Sequence, residues 1–502
     1  MLARRSRVLV VTLVCFLGVV GGTPAGAGAE PLSGSPPHAD SPFIRDRFGR
    51  VVFFHGVNAA WKLAPYYPPS SLFGQSKSYF DDRDARFLRD SGLNHVRLGV
   101  FFAGVMPEKG RIDHRYLDRI EKIVDMLGRR GVSVLLDFHQ DMYNERFGGE
   151  GFPDWAVITD GIPFRPVFGF PFDYFQPAVS RAFDNFWANR AGLQESYAAA
   201  WAAVARRFRD SSTVVGYDLM NEPSPGSQAI TCFPLPAGCP AFELLFLQPF
   251  FERVIAAIRT VDRRHMTFWE SHYWTSGAFV QNWTGTDHPV RDPAGNTGLS
   301  FHAYCTAALG LPEPVLRATD VPCALSEEGA FRTHRRAAIR NGSALLFSEF
   351  GASDDLVDIA RLTAMADEFM VSWDYWAYAN WNDPTGNPPA EGMFEDDLDR
   401  PGSLKEDKAL VLIRTYPQAV AGTPLSFSFD PESPDRTFTI TYRTDRSIRQ
   451  PTVIFVPVKW HYPRGYRVDV EGPARVTSDP NQPRLTLRNT GTGTVTVTVR
   501  RR

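Results

Sequence analysis

The sequence predicts an α/β chain, a closed (β/α)8 TIM barrel followed by a C-terminal all-β immunoglobulin-like sandwich, and three observations carry that prediction. Strand-like and helix-like stretches alternate from residue 43 to about residue 415, the pattern of repeated βα units. Eight strand stretches occur there, the number at which a parallel sheet closes on itself. Past about Tyr416 the helical text stops, and short alternating strands follow between Pro, Gly, Asn and Asp turns. No Gly-x-Gly-x-x-Gly follows the first strand, which counts against an open dinucleotide-binding sheet.

In order along the chain, Arg4, Arg5 and Arg7 precede an apolar run from Val8 to Val20 and small residues at Ala25, Ala27 and Ala29. That is the layout of a secretory signal peptide at 1–29, and the run is short for a membrane span. A secreted, extracellular protein is expected, with a flexible Pro-rich segment at 30–42, the barrel at 43–415 and the sandwich at 416–502. FIRDRFGRVVFFHGVN reads as a hairpin and then a first strand from Val51 to His55; helix YFDDRDARFLRDSGL and strand NHVRLGV follow. In HRYLDRIEKIVDMLGRRG, Leu117, Ile120, Val124 and Leu127 form one helical stripe that stops at Gly131. Strand SVLLDF and helix ESYAAAWAAVARRF lead to VVGYDLMNEP, and HMTFWES, GLSFHAYC, ALLFSEFG and SWDYWAYA complete the eight. The sandwich strands read as RTFTITYRT, TVIFVPVKW, YRVDVEG, ARVTSD, RLTLRNT and TVTVTVRR.

With 502 residues, 43% of them hydrophobic, the chain has material for two or three domains and a large core. A formal charge of -2 and a pI near 6.6 give no electrostatic case for nucleic acid or an anionic membrane surface. Cys15 falls in the leader, which leaves Cys232, Cys239, Cys305 and Cys323, an even number that in an exported chain favours disulfides. The spacing suggests Cys232 with Cys239 and Cys305 with Cys323, with three connectivities open. Zinc is the alternative, weighed down by irregular spacings and the lack of a histidine pair. No motif implies a metal, nucleotide or redox cofactor.

Chemistry-bearing residues stand at the strand tips: Arg97, His139, Asn221 with Glu222, His302 with Tyr304, Glu349 and Trp376. Each alone has a bland reading, as a salt bridge, a core histidine or packing. Their recurrence at the same end of successive strands has none, because that end is where such barrels keep their active sites. Two carboxylates among cations, amides and an aromatic platform suit glycoside cleavage, in which one must be protonated and the other ionised. Arg97 and Tyr304 are placed to hold the ionised one, Asn221 to bind a sugar 2-hydroxyl, and Trp376 to stack on a sugar face.

On Asn221-Glu222-Pro223 and FSEFG at 347–351, the chain resembles glycoside hydrolase family 5 over all eight strands. GVNAAWKLAPY at 56–66, LLDFHQDMY at 135–143, FHAYC at 301–305 and the added sandwich make it most similar to the endoglycoceramidases of that family. The resemblance implies a retaining endo-β-glycosidase that cuts glycosphingolipids between the reducing-end sugar and ceramide through a glycosyl-enzyme intermediate. It implies Glu222 as acid/base, Glu349 as nucleophile, Arg97, His302 and Tyr304 as support for Glu349, and Lys62, His139 and Asp141 as sugar-binding residues. Trp376 fits the last-strand platform, and Trp381 in NWND competes with it. A monomer in transient contact with a membrane or micelle is expected.

Two insertions depart from the general family pattern. One, at 147–175, carries Phe152, Trp155, Phe164, Phe168, Phe170, Phe172 and Phe175; the other is apolar from Phe242 through Phe251. Loops of that length in a compact domain are usually functional. Either they cover one another and stabilise the rim, or they form an apolar surface for a lipid aglycone. Two other functions stand behind the first: a different family 5 activity (β-glucanase or steryl glucosidase), and a non-catalytic carbohydrate- or lipid-binding protein. The latter requires a missing carboxylate, and both are present.

Overall fold

The computed structural model describes residues 35–229, 239–273, 289–304 and 313–502, with side chains in the last stretch from 323 onward. The eight barrel strands are His55–Ala59, His95–Val100, Ser133–Phe138, Val214–Asp218, Met266–Glu270, Thr297–Ala303, Ala344–Phe350 and Ser372–Tyr375. Each runs parallel to its neighbours, and the eighth pairs with the first to close the barrel. Every residue in them is buried, as expected of a parallel sheet wrapped by helices. Helix His114–Arg129 begins where Asp113 accepts the N–H groups of Arg115 and Tyr116, and its predicted stripe faces the core.

Alternation along each strand sorts side chains between two cores. Val134, Leu136, Val214, Tyr217 and Leu345 join the helix-facing core, while Leu135, Val215, Met266, Phe268, Ala344 and Leu346 fill the barrel's lower interior with Ile44 and Phe54. Two residues further along, the inward rows turn polar: Leu135 leads to Asp137 and His139, and Phe268 to Glu270. The site therefore rests on an apolar plug.

The first strand differs from the expectation. Val51–Val52 is an inner strand of a sandwich sheet, paired with Phe43–Arg45 and Tyr416–Val420, and the barrel strand starts only at His55, so the predicted strand at Val51–His55 divides between two sheets. The segment expected to be flexible, 30–42, contains strand His38–Asp40, paired with Phe43–Arg45. Burial of Ile44 in the barrel's base anchors this hairpin. The leader at 1–29 lies outside the described residues.

The C-terminal region is a sandwich of two antiparallel sheets. One orders His38–Asp40, Phe43–Arg45, Val51–Val52, Tyr416–Val420, Thr452–Phe455, Arg484–Asn489 and Ala474–Val476; the other orders Gly422–Phe429, Phe438–Thr444, Thr494–Arg501 and Tyr466–Glu471. The end of predicted strand TVIFVPVKW is instead a helical turn, Val458–His461. The sandwich presses on the barrel through Tyr416, which stacks on His55 at 3.6 Å and donates to the Gly92 carbonyl at 2.6 Å.

Candidate active site

Arg97, on the second strand, is the hub of the barrel's upper interior. Its guanidinium donates to Asp218 Oδ2 (2.9 Å), Asn58 Oδ1 (3.1 Å), Asn221 Oδ1 (2.9 Å), Glu270 Oε1 (3.1 Å) and, at short range, Glu349 Oε1. Asp137 Oδ1 lies 3.1 Å away. Burial works against a charged Arg97, but Asp137, Asp218, Glu349 and Glu270 outweigh it and hold the proton more firmly than usual. Burial in turn pushes Asp218 up to about 7, against the pull of Arg97.

Glu349 follows a register shift between Phe347 and Glu349 in the pairing of strands six and seven. With Leu346 inward and Phe347 outward, strict alternation would turn Glu349 away from the axis; the irregularity re-aims it. Its Oε2 accepts the Tyr304 hydroxyl at 2.9 Å and lies 3.3 Å from His302 Nδ1. Glu222, just past the fourth strand, stands at φ +42°, backbone that side chains rarely adopt. Its N–H goes to Glu270 Oε2 (2.9 Å) and its carbonyl to Gln140 Nε2 (3.0 Å). Its Oε1 lies 2.8 Å from His302 Nδ1. Burial raises the Glu222 carboxyl, the neighbouring His302 lowers it, and Glu349 raises it again; the outcome is upward. One oxygen of Glu222, one of Glu349 and a His302 nitrogen all lie within 4.8 Å of one another.

Beside this pair, Lys62 Nζ contacts Asp141 (2.8 Å), Thr385 (2.7 Å) and Asp383 (3.0 Å) and sits 4.5 Å from the Trp376 ring centre. Burial opposes its charge, while Asp141, Asp383 and Glu150 together raise its proton affinity well above the usual. The His139 ring stacks on Trp376 at 5.1 Å, with Nδ1 2.7 Å from Asp137. Burial again disfavours charge, but Asp137 prevails and raises His139 to about 9.

The structure thus brings Lys62, Arg97, His139, Asp141, Asn221, Glu222, His302, Tyr304, Glu349 and Trp376 into one cleft. Trp381 packs instead against Trp61 (5.9 Å) and edge-on to Phe80 (5.8 Å), so Trp376 is the ring at the site. Asn221 is largely committed: Oδ1 takes Arg97, and Nδ2 donates to the Gln140 carbonyl at 3.1 Å, which leaves one N–H for a sugar. Cys239 and Cys323 are both disulfide-bonded; Cys232 and Cys305 lie outside the described residues.

Sequence reasoning missed Asn58, Asp137, Asp218 and Glu270. A carboxylate inside an otherwise apolar, fully buried strand was the available signal, since such groups are almost never buried unless paired. Asp383, Thr385 and Glu391, which accepts the Trp376 indole N–H at 3.3 Å, come from the loop after the eighth strand, where no periodicity marks them.

The insertions divide between the two readings. Phe152, Phe242, Phe250 and Phe251 are core residues. Phe168 (76% exposed), Phe170, Phe172 and Phe175 face solvent, as do Leu244 and Leu245. The 167–175 loop is fastened rather than loose, because Asp173 accepts the N–H groups of Val167, Phe168 and Gly169 at 3.0–3.1 Å. Its buried Tyr174 stacks on Tyr273 at 4.6 Å; burial raises both phenols, Asp141 and then Glu222 raise Tyr174 further, and Glu222 raises Tyr273. The exposed rings therefore belong to a loop seated near Asp141 and Glu222.

The chain matches "Cellulase (glycosyl hydrolase family 5)" over residues 64–385 and "Glycoside hydrolase family 5 C-terminal domain" over 414–499. It is 34% identical to Endoglycoceramidase I of Rhodococcus hoagii, over 92% of this chain and 88% of that one. It is 30% identical to an endoglycoceramidase of Hydra vulgaris, over 87% and 83%. Among solved structures, endo-glycoceramidase II from Rhodococcus sp. superposes with a TM-score of 0.73 at 30% identity, covering 92% of this chain and 99% of that one. That relative has also been solved as a lactosyl-enzyme intermediate and as a ganglioside GM3 complex. With barrel, sandwich and paired glutamates in agreement, the chain belongs to glycoside hydrolase family 5, in its endoglycoceramidase group.

Proposed function

We propose that this chain is a retaining endo-β-glycosidase that cuts glycosphingolipids between the reducing-end sugar and ceramide, with Glu222 as acid/base and Glu349 as nucleophile. The observation that carries the mechanism is the closeness of the two carboxylates, whose nearest oxygens lie within 4.8 Å. Inverting enzymes leave about 6.5–9.5 Å for a water between the carboxyl groups, whereas retaining ones keep them at about 5–5.5 Å. Glu349, oriented by Arg97 and Tyr304, attacks the anomeric carbon while Glu222 gives its proton to the departing ceramide oxygen. Water then enters, Glu222 takes its proton, and the sugar leaves Glu349 with net retention.

The roles differ because the surroundings differ. Burial raises the Glu222 carboxyl above the ordinary carboxylate range, while Glu349 accepts hydrogen bonds from the Arg97 guanidinium and the Tyr304 phenol, which orient it. Lys62, His139, Asp141 and Trp376 supply charged donors, acceptors and a ring face for the sugar. The leaving group departs on the Glu222 side, beside Phe168, Phe170 and Phe172, which supports a lipid aglycone partly buried there, with the rest of its chains in a membrane or micelle. The relative's lactosyl-enzyme and ganglioside complexes support the same covalent route and substrate class. The layout of 1–29 supports export, and we take the chain to act as a monomer.

Incubation with lactosylceramide, glucosylceramide and cellotetraose, with products identified by mass spectrometry, tests this reading. Release of intact lactose and ceramide is expected. Cleavage of cellotetraose alone would move the assignment to a glucanase.

A further inference from the structure

Glu270 ends the fifth barrel strand and has no part in the chemistry above, yet three parts of the site meet at its buried carboxylate. Oε2 accepts the backbone N–H of Glu222 at 2.9 Å. Oε1 lies 3.1 Å from Arg97 Nη2 and 3.2 Å from His302 Nε2. On the other edge of that imidazole, Nδ1 faces Glu222 Oε1 at 2.8 Å and Glu349 Oε2 at 3.3 Å. Whatever fixes a proton on Nε2 therefore decides what Nδ1 presents to both carboxylates. The Glu222 peptide, at φ +42°, also needs an acceptor for its N–H, and Glu270 is that acceptor.

We propose that Glu270 is a positioning residue for the acid/base: by accepting the Glu222 N–H on one oxygen and Arg97 on the other, it pins the Glu222 backbone and holds that carboxyl at the leaving oxygen. This rests on the reading of Glu222 as acid/base. The proton balance closes without His302, because Glu222 loses one proton to the departing oxygen and regains one from the attacking water.

Other groups facing this cluster stay in place when Glu270 changes. Arg97 comes from the second strand, Asp137 from the third, Asp218 from the fourth, and Tyr304 and Glu349 from the sixth and seventh. Tyr174 and Tyr273 approach Glu222 from loops, and His334 and His272 face the cluster from behind. Burial disfavours a charged His302, and Glu270 stands first among the groups that raise its proton affinity.

Glu270→Gln keeps the shape and removes the charge. The amide keeps one acceptor oxygen where the Glu222 N–H and Arg97 use two, so on lactosylceramide kcat/KM should fall at least about tenfold. A dinitrophenyl lactoside, whose leaving group needs no proton, should lose less. Glu270→Asp keeps the charge but withdraws it from the Glu222 N–H; lactosylceramide turnover should fall, again with the dinitrophenyl substrate spared. Equal losses on both substrates overturn the proposal. Should Glu270→Gln not fold, the substrate ratio in Glu270→Asp decides alone. Glu222→Gln on the same substrates separates the two failures: without leaving-group dependence there, the acid/base reading falls and takes this inference with it.

Discussion

At the residue scale, the two glutamates differ in their hydrogen-bond partners, Arg97 and Tyr304 at Glu349 and His302 at Glu222, and that gives the first prediction. Glu222→Gln should cut turnover of lactosylceramide by about 10²–10⁴-fold, with a dinitrophenyl leaving group recovering much of the first step, while Glu349→Gln should be inactive on both. Steady-state rates, with circular dichroism to confirm folding, check this. His139 offers a stability prediction with a definite sign. Its proton affinity is raised from 6.5 to about 9 in the folded chain, after burial and Asp137 are weighed. The stabilisation is thus fully present below about pH 6.5 and is lost as pH rises through 9, and it amounts to about 3 kcal/mol. Thermal melts of the wild type and His139→Asn should differ most at pH 6 and converge by pH 10. A constant gap would mean that His139 acts through packing alone.

At the element scale, the loop at 167–175 combines a fixed backbone with exposed rings. Asp173 fastens its backbone, and Tyr174 plants it beside Glu222. Replacing Phe168, Phe170 and Phe172 with Ser should raise the Michaelis constant for lactosylceramide at least about fivefold, since each partly buried methylene contributes up to about 0.8 kcal/mol. Hydrolysis of a soluble aryl lactoside should barely change. Equal losses on both substrates, with melting intact, would make the loop a support for the rim. The helix from Pro240 onward serves the core instead, for Phe242, Phe250 and Phe251 are buried, while Leu244 and Leu245 look outward.

At the scale of the whole molecule, the sandwich meets the barrel's base most tightly at Gly92. Gly92, at φ +74°, leaves so little room that a Cβ there would lie 2.3 Å from the Phe455 ring. Gly92→Ala should therefore destabilise the chain by about 2–4 kcal/mol through overpacking and backbone strain, with kcat on the aryl lactoside unchanged below the new melting point. Calorimetry checks it; an unchanged midpoint would show that the two sheets and the barrel yield to one another. The N-terminal hairpin ties the same junction, since Val51–Val52 pairs with Tyr416–Val420 and Ile44 reaches into the barrel.

How much of this was legible follows from which forces act locally. The eight strands, the helix stripe at Leu117 to Leu127 and the sandwich's alternation are imprinted in sequence because burial on one face recurs with the backbone's own period. Glu222 and Glu349 stood out for a related reason, each placed where a buried strand stops. What the sequence left open was decided over long separations. Val51 and His55 read as one strand, yet two different sheets claim its ends. Asp137, Asp218 and Glu270 read as single polar residues, and only closure of the barrel gathers them around Arg97. Trp376 and Trp381 are alike in sequence, and what separates them is contact with His139 and Lys62 rather than with Trp61 and Phe80. The re-aiming of Glu349 depends on a register shift against strand six, an interaction between segments about fifty residues apart, for which periodicity carries no signal. The sequence by itself determined the fold and singled out the two glutamates proposed to react; tertiary structure decided which charges surround that pair, because electrostatic neighbours are set by distance in space and not along the chain.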